Sequence, residues 1–485
     1  MPEPTVPPIR RSVANLRATG RLGAAAPSFI SNRPTNPARV KSLLQSPRPT
    51  DQTQTVRINA AAIADAIQGV LPKATLVLRV KSERLEVMYA GPTSMCPESI
   101  GPPDRTIDAS DRLLLPGLIN AHTHLDLSHI GPFSHEPGDG FVKWVDHIRA
   151  NRHQEDDGIA EAVDQGIQLS IAGGTVAVGD IAGAPAGRLT SAPARALAKS
   201  ALAGVSYLEF FGIGRTAVGI TERLADFVRR QLPDLQSELY DTRVRIGLQP
   251  HAPNTVDLGV YRWAAAIART HRLPFSTHLA ETPEERQFIE AGIGPQRELL
   301  ERLGVWENSI LDHVGRGKHP VEHLLPVLCD QPVLCAHVND ATDQAIAMLS
   351  QTKTTVAYCP RASEYFGAAD HFGPHRYREM LEAGVPVCLG TDSIVNLDTP
   401  DRISVLDEMR LLHQRDGTDA QALLTMATTN GAAALELDPD CVTFQTGPIL
   451  GVIGVPVLPD GSDPWTFAMT QKSAPEYPIL SRERF

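Results

Sequence analysis

Eight short apolar runs, each followed by a stretch of polar or helical periodicity, constrain this chain more than any other feature. They are LLLPGLINAHTHL, GGTVAVGD, AGVSYLEFFG, RVRIGLQPHA, PFSTHLAE, PVLCAHV, TTVAYCP and VPVCLGTDS, spread from Leu113 to Ser393. Stretches such as GDGFVKWVDHIRANR and DLGVYRWAAAIARTH lie between them. Runs apolar throughout are buried on both faces, and a helix after each run points to parallel strands. Eight such units predict an α/β fold, a closed (β/α)8 TIM-type barrel.

The barrel is expected over residues 114–438. Before it, residues 51–113 offer the strand-like pieces TLVLRV and RLEVMYAG, the second with period-2 alternation. After it, residues 439–485 return to short β-like pieces. The two flanks are predicted to pair into one small composite β domain. Residues 1–50 carry eight Lys or Arg, one acid (Glu3) and nine prolines, too little apolar surface to offset ordering entropy. They are read as a disordered tail, with an over-long start and a transit peptide as alternatives.

Bulk properties narrow the function classes. The net charge of −11 argues against nucleic acid as a partner. No apolar run reaches the ~18 residues of a membrane span, so no membrane partner is expected. Six widely spaced cysteines without a CxxC pair fit reduced thiols and a cytoplasmic protein.

The polar oddities sit at the ends of the runs, where barrel enzymes place their active sites. The first run ends in His122-Thr-His124, the fifth in His278-Leu-Ala-Glu281, the sixth in His337, and the eighth in Asp392. Residues i and i+2 of a strand share a face, so His122 and His124 can both enter the barrel mouth. A lone strand histidine is ordinarily a core or surface residue. Four such motifs at four strand ends instead predict convergence on one divalent cation. Imidazole nitrogen and carboxylate oxygen suit Zn2+, with Fe2+ a substitute.

The motifs PGLINAHTHLDLSH, HAPNTV, THLAET, AHVND, CPR and LGTDS resemble the amidohydrolase superfamily. The likeness is to its branch of cytosine, guanine and S-adenosylhomocysteine deaminases and triazine hydrolases. It implies His122, His124, His278 and Asp392 as metal ligands, Glu281 as proton shuttle and His337 as the residue that polarises the tetrahedral centre. A bound zinc ion brings the pKa of its water to ~7, supplying hydroxide at neutral pH. Glu281 and Asp392 can take the water's proton and pass protons to a ring nitrogen and a leaving amine. His337 can stabilise charge on the adduct oxygen. Relatives with two metals bridge them through a lysine after the fourth strand. This chain reads LQPHAPNT there, which favours one metal and deamination.

The resemblance makes His251, in PHAPNTV, a residue facing the substrate ring. Glu209, in YLEFFG, could bind an amino group or ribose hydroxyl, or pair with Arg215. LDLSH…GDGFVKWV is similar to aminodeoxyfutalosine deaminases, which act on a 6-aminopurine nucleoside with a bulky 5′ substituent. Phe141, Trp144, Val145 and Ile148 fall at helical spacing and are read as core. His313, His319 and His323 are read as solvated. CPRASEYFG departs from the branch's CPRSN, with Ala362 and Ser363 in place of the polar pair, which puts substrate assignment in doubt more than metal assignment. The expected activity is a metal-dependent aminohydrolase acting on a small heterocyclic substrate, purine or adenosine-type. Triazine chlorohydrolase or amidase chemistry, or a non-catalytic scaffold, stay open. Homo-oligomers are common in the branch and are expected here by resemblance.

Overall fold

The computed structural model describes residues 53–81, 84–328, 330–458 and 462–480. The tail expected at 1–50 lies outside the described residues.

The eight runs form eight parallel strands. They are β5 (Leu118–Thr123), β6 (Thr175–Ala182), β7 (Ala203–Phe210), β8 (Val244–Pro250), β9 (Ser276–Leu279), β10 (Val333–His337), β11 (Thr354–Tyr358) and β12 (Val387–Leu389). β5 to β8 pair in sequence order, as do β9 to β12. Isolated parallel bridges Leu248↔Phe275 and Thr123↔Asp392 join the two halves at both seams. The result is a closed (β/α)8 barrel. All eight residues of both β6 and β7 are buried, which explains why these runs show no alternation.

The flanks form one mixed seven-stranded sheet. Its strands are β1 (Thr53–Asp65), β2 (Gly69–Lys81), β3 (Arg84–Pro92), β4 (Arg105–Pro116), β13 (Gly447–Ile449), β14 (Gly451–Pro456) and β15 (Glu476–Leu480). Their order is β13-β3-β2-β1-β4-β14-β15, so strands from before and after the barrel share one sheet. β14 pairs antiparallel with β4, with Ile453 opposite Leu115. Val56, Ile58, Leu76, Leu78, Val87, Phe444 and Val452 share its core.

The run LLLPGLINAHTHL, read as one strand, is two. Leu113 to Pro116 end β4, and Leu118 begins β5. Gly117 lies at the join because a Cβ there would stand 2.0 Å from Cγ1 of Val176 on β6.

Candidate active site

The strand ends bring the predicted residues together. His122 lies in β5 and His124 just beyond it, His278 in β9, His337 at the end of β10, and Glu281 and Asp392 in the loops after β9 and β12. All six side chains are buried. The potential ligand atoms of His122, His124 and His278 lie within 4.8 Å of one another, as do those of Glu281, His337 and Asp392. Asp392 joins the two groups. Its Oδ1 is 3.4 Å from Nε2 of His124 and 4.0 Å from Nε2 of His122. Nε2 of His337 is 3.5 Å from Oε1 of Glu281.

Burial sets the charge states. It depresses the imidazoles, with mutual repulsion among the histidines adding to the effect on His122, His124 and His337. His278 falls to about 4 for the same first reason, burial. Neutral imidazoles are the form that ligates a metal. Burial raises the carboxyls instead. Asp392 rises to about 7, and Glu281 is held well above the usual range by burial and then by Asp392.

The donor set fits a divalent ion. Neither ring nitrogen of His122 and not Nδ1 of His124 has a hydrogen-bond partner among the described residues. Buried polar atoms are normally satisfied, so such orphans at one point call for a ligand. Nδ1 of His278 lies 3.0 Å from the His251 carbonyl, an acceptor only, and 3.2 Å from the Gln249 side-chain amide, whose oxygen is otherwise unsatisfied; a proton on Nδ1 serves both once that amide turns its oxygen inward. Nε2 of His278 is thereby free to ligate, the usual arrangement when the other ring nitrogen of a metal-binding histidine donates to a carbonyl.

The backbone supporting these groups is unusual. Ala280 (φ 52°), His337 (φ 72°), Val338 (φ 51°) and Asp392 (φ 56°) all lie in the left-handed region, where side chains are disfavoured. Neighbouring groups hold them there. Glu285 accepts from the backbone N–H of Ala280 at 2.9 Å and of Glu281 at 2.8 Å. Asn339 donates to the Glu281 carbonyl at 3.1 Å and accepts from Ser363. His375 donates through Nε2 to the His337 carbonyl at 2.9 Å.

The site opens into a cavity of about 1090 Å³. Glu209 and His251 line it beside His278, and atoms of these three residues also lie within 4.8 Å of one another. Burial raises Glu209 to about 7, offset in part by Arg152. Arg152, rather than Arg215, is therefore the cation beside Glu209; Arg215 instead faces Glu307 at 3.7 Å. Arg152 also pairs with Asp126 at 2.9 Å. A Cβ on Gly183 would fall 1.7 Å from its Nη2, so that position stays open for the guanidinium.

Other expectations need correction. Ile148 is core as expected and Trp144 packs against its cluster, but all four of Phe141, Trp144, Val145 and Ile148 also line the cavity, because the helix Phe141–Asn151 lays its apolar face across the barrel mouth. His319 and His323 are buried, not solvated, and Nε2 of His319 lies 3.3 Å from Asp340. Reasoning from sequence missed Asp126, Arg152, Asp180, Glu285, Asn339 and Asn396. Thr282-Pro-Glu-Glu285 carries a readable capping-box pattern, which would have singled out Glu285. Here Thr282 accepts from the Glu285 N–H at 3.2 Å, while the Glu285 carboxylate reaches back past the cap to Ala280 and Glu281.

Fold and site together define a class: a (β/α)8 barrel with a buried histidine–carboxylate centre at the C-terminal ends of its strands. The amidohydrolase family model matches residues 113–447, and the chain belongs to that family. It is 28% identical over 385 residues to a 5-methylthioadenosine/S-adenosylhomocysteine deaminase of Moorella thermoacetica, covering 76% of this chain and 79% of the relative. It is 27% identical over 350 residues to an aminodeoxyfutalosine deaminase of Deinococcus radiodurans, covering 68% and 75%. The crystal structure of Helicobacter pylori aminofutalosine deaminase superposes with a TM-score of 0.69 at 19% identity, over 89% of this chain and all of that one. Among the described residues no helix is long and apolar enough to cross a membrane.

Proposed function

We infer that the chain is a metal-dependent aminohydrolase that deaminates an amino-substituted heterocycle of the purine or adenosine type. The observation that carries this is the joined pair of groups at the barrel mouth: three neutral histidines meeting Asp392, and Glu281 with His337 beside it.

His122, His124, His278 and Asp392 would hold one divalent ion, Zn2+ by donor type, with Fe2+ able to replace it. Such an ion, when bound, supplies an activated water at neutral pH. Glu281, buried beside His337 at the barrel mouth, can carry a proton to a ring nitrogen of the substrate. Asp392, its Oδ1 3.4 Å from Nε2 of His124, can accept a proton from the attacking water and return one to the departing amine. His337 offers its Nε2, 3.5 Å from Glu281 and without a hydrogen-bond partner among the described residues, to charge growing on the new oxygen. His251 and Glu209 would orient the heterocycle and its hydroxyls. The cavity is far larger than a purine base and favours a nucleoside with a bulky 5′ substituent. A cytoplasmic location and a homo-oligomeric state accompany this reading.

The test is ammonia release by zinc-loaded protein across adenine and guanine bases, nucleosides and 5′-substituted adenosines, aminodeoxyfutalosine included. Glu281→Gln should keep its metal and lose at least ~100-fold in rate. Full activity in that variant would overturn the mechanism. Silence of the metal-loaded wild type across the panel would move the reading to another leaving group. Silence with no metal bound would favour a scaffold.

A further inference from the structure

The two oxygens of Asp392 face different partners. Oδ1 faces His124 and His122, while Oδ2 accepts from Nδ2 of Asn396 at 2.5 Å. Asn396 in turn accepts at Oδ1 from the indole N–H of Trp144 at 3.0 Å. An indole only donates and an ionised carboxylate only accepts, so this orientation of the Asn396 amide satisfies both neighbours and the reverse satisfies neither.

The surroundings tie the same parts together. Asn396 ends the short 3-10 turn Ile394–Asn396 that follows Asp392 and is itself buried. Val395 in this turn packs with Leu127 and Ile148, and Phe133 and Trp144 pack against that cluster. The Phe133 N–H donates to the Val395 carbonyl at 3.0 Å. The helix Phe141–Asn151, whose apolar face lines the cavity, is therefore docked on the turn that holds the carboxylate.

We propose that Asn396 is a positioning residue for Asp392, and that Trp144 couples the cavity-lining helix to it through the indole N–H. A substrate that seats against Trp144 would then steady the carboxylate that handles its protons. This rests on the aminohydrolase reading for its kinetic test, but the hydrogen-bond chain can be tested without it.

The variants are Trp144→Phe, which keeps the apolar wall and removes only the donor, Asn396→Leu, which removes the bridge, and the double variant. With a deaminated substrate, Trp144→Phe should lower kcat ~10-fold while KM moves less than ~2-fold, and Asn396→Leu should lower kcat ~10- to 100-fold. The double variant should be no worse than Asn396→Leu alone, because one chain is cut twice. An unchanged kcat for Trp144→Phe, whether or not KM moves, would make Trp144 a wall only, and multiplying losses would make the two residues independent; either overturns the coupling. Two further readouts do not need turnover. Asn396→Leu should move the Trp144 indole N–H resonance and weaken zinc retention ~10- to 100-fold. If the wild type deaminates nothing, these still decide: both changes sustain the chain with another chemistry at the site, and the absence of both removes it.

Discussion

Both oxygens of Glu285 are taken up by the backbone that carries Glu281. The two N–H groups it accepts from belong to Ala280, at φ 52°, and to Glu281 itself. Truncating this side chain would leave two buried donors unsatisfied, each costing about 1–3 kcal/mol. Glu285→Ala is therefore expected to destabilise by about 2–5 kcal/mol in chemical denaturation, with Glu285→Gln, which keeps one acceptor oxygen, closer to the wild type. Equal stability of all three would mean that the loop holds its shape without this clamp. Ser363 works one step further out, donating to Asn339, which holds the Glu281 carbonyl. The departure CPRASEYFG thus bears on the support of Glu281. The six central residues were legible as candidates because each lies at or just past a strand end in a motif that chemistry explains. Arg152 was not, since its place beside Asp126 and Glu209 depends on a helix returning to the barrel mouth, which no local pattern encodes.

At the scale of elements, the passage from sheet to barrel depends on a single missing side chain. β4 and β5 are joined at Gly117, against Val176 of β6. Gly117→Ala places a methyl where Val176 already stands, and overpacking of this kind costs about 1–3 kcal/mol. The thermal midpoint of Gly117→Ala should fall, and Val176→Ala should recover part of the loss when combined with it. Simple addition of the two losses would place the strain elsewhere. This junction also explains why the first run misled: Leu113 to Ile119 is apolar without a break, but its first part completes the composite sheet. β1 was overlooked for a different reason. Its INAAAIAD stretch is rich in alanine, a helix former, and only pairing with β2 and β4 settles it as strand. Most barrel strands needed no such context, because burial on both faces is written into runs such as those of β6 and β7.

Across the whole molecule, the barrel interior holds carboxyls that it keeps from ionising. Asp180 is raised to about 7, by burial first and then by Asp126, with its bonds from the Leu125 N–H and the Ser206 hydroxyl opposing. In the unfolded chain the same carboxyl has its ordinary value near 3.8. Between those values the folded protein holds a proton that the unfolded chain has released, so stability falls as pH rises from about 4 to about 7 and then levels off. At ~1.4 kcal/mol per pK unit the span for this one group is about 4 kcal/mol at most. Asp180→Asn removes the titration while keeping an acceptor for Leu125. In the metal-free protein the depressed histidines pull the other way, equally in wild type and variant, so the expected result is a difference: from pH 5 to pH 8 the wild type should lose at least about 1 kcal/mol more stability than Asp180→Asn. The metal-free form is the one to measure, since a bound cation beside Asp392 and Glu281 stabilises ionised carboxylates and reverses the local preference. Denaturant titrations at the two pH values check this. An equal change in the variant would mean that Asp180 is ionised in the folded protein, with Arg152 balancing it across the Asp126 pair.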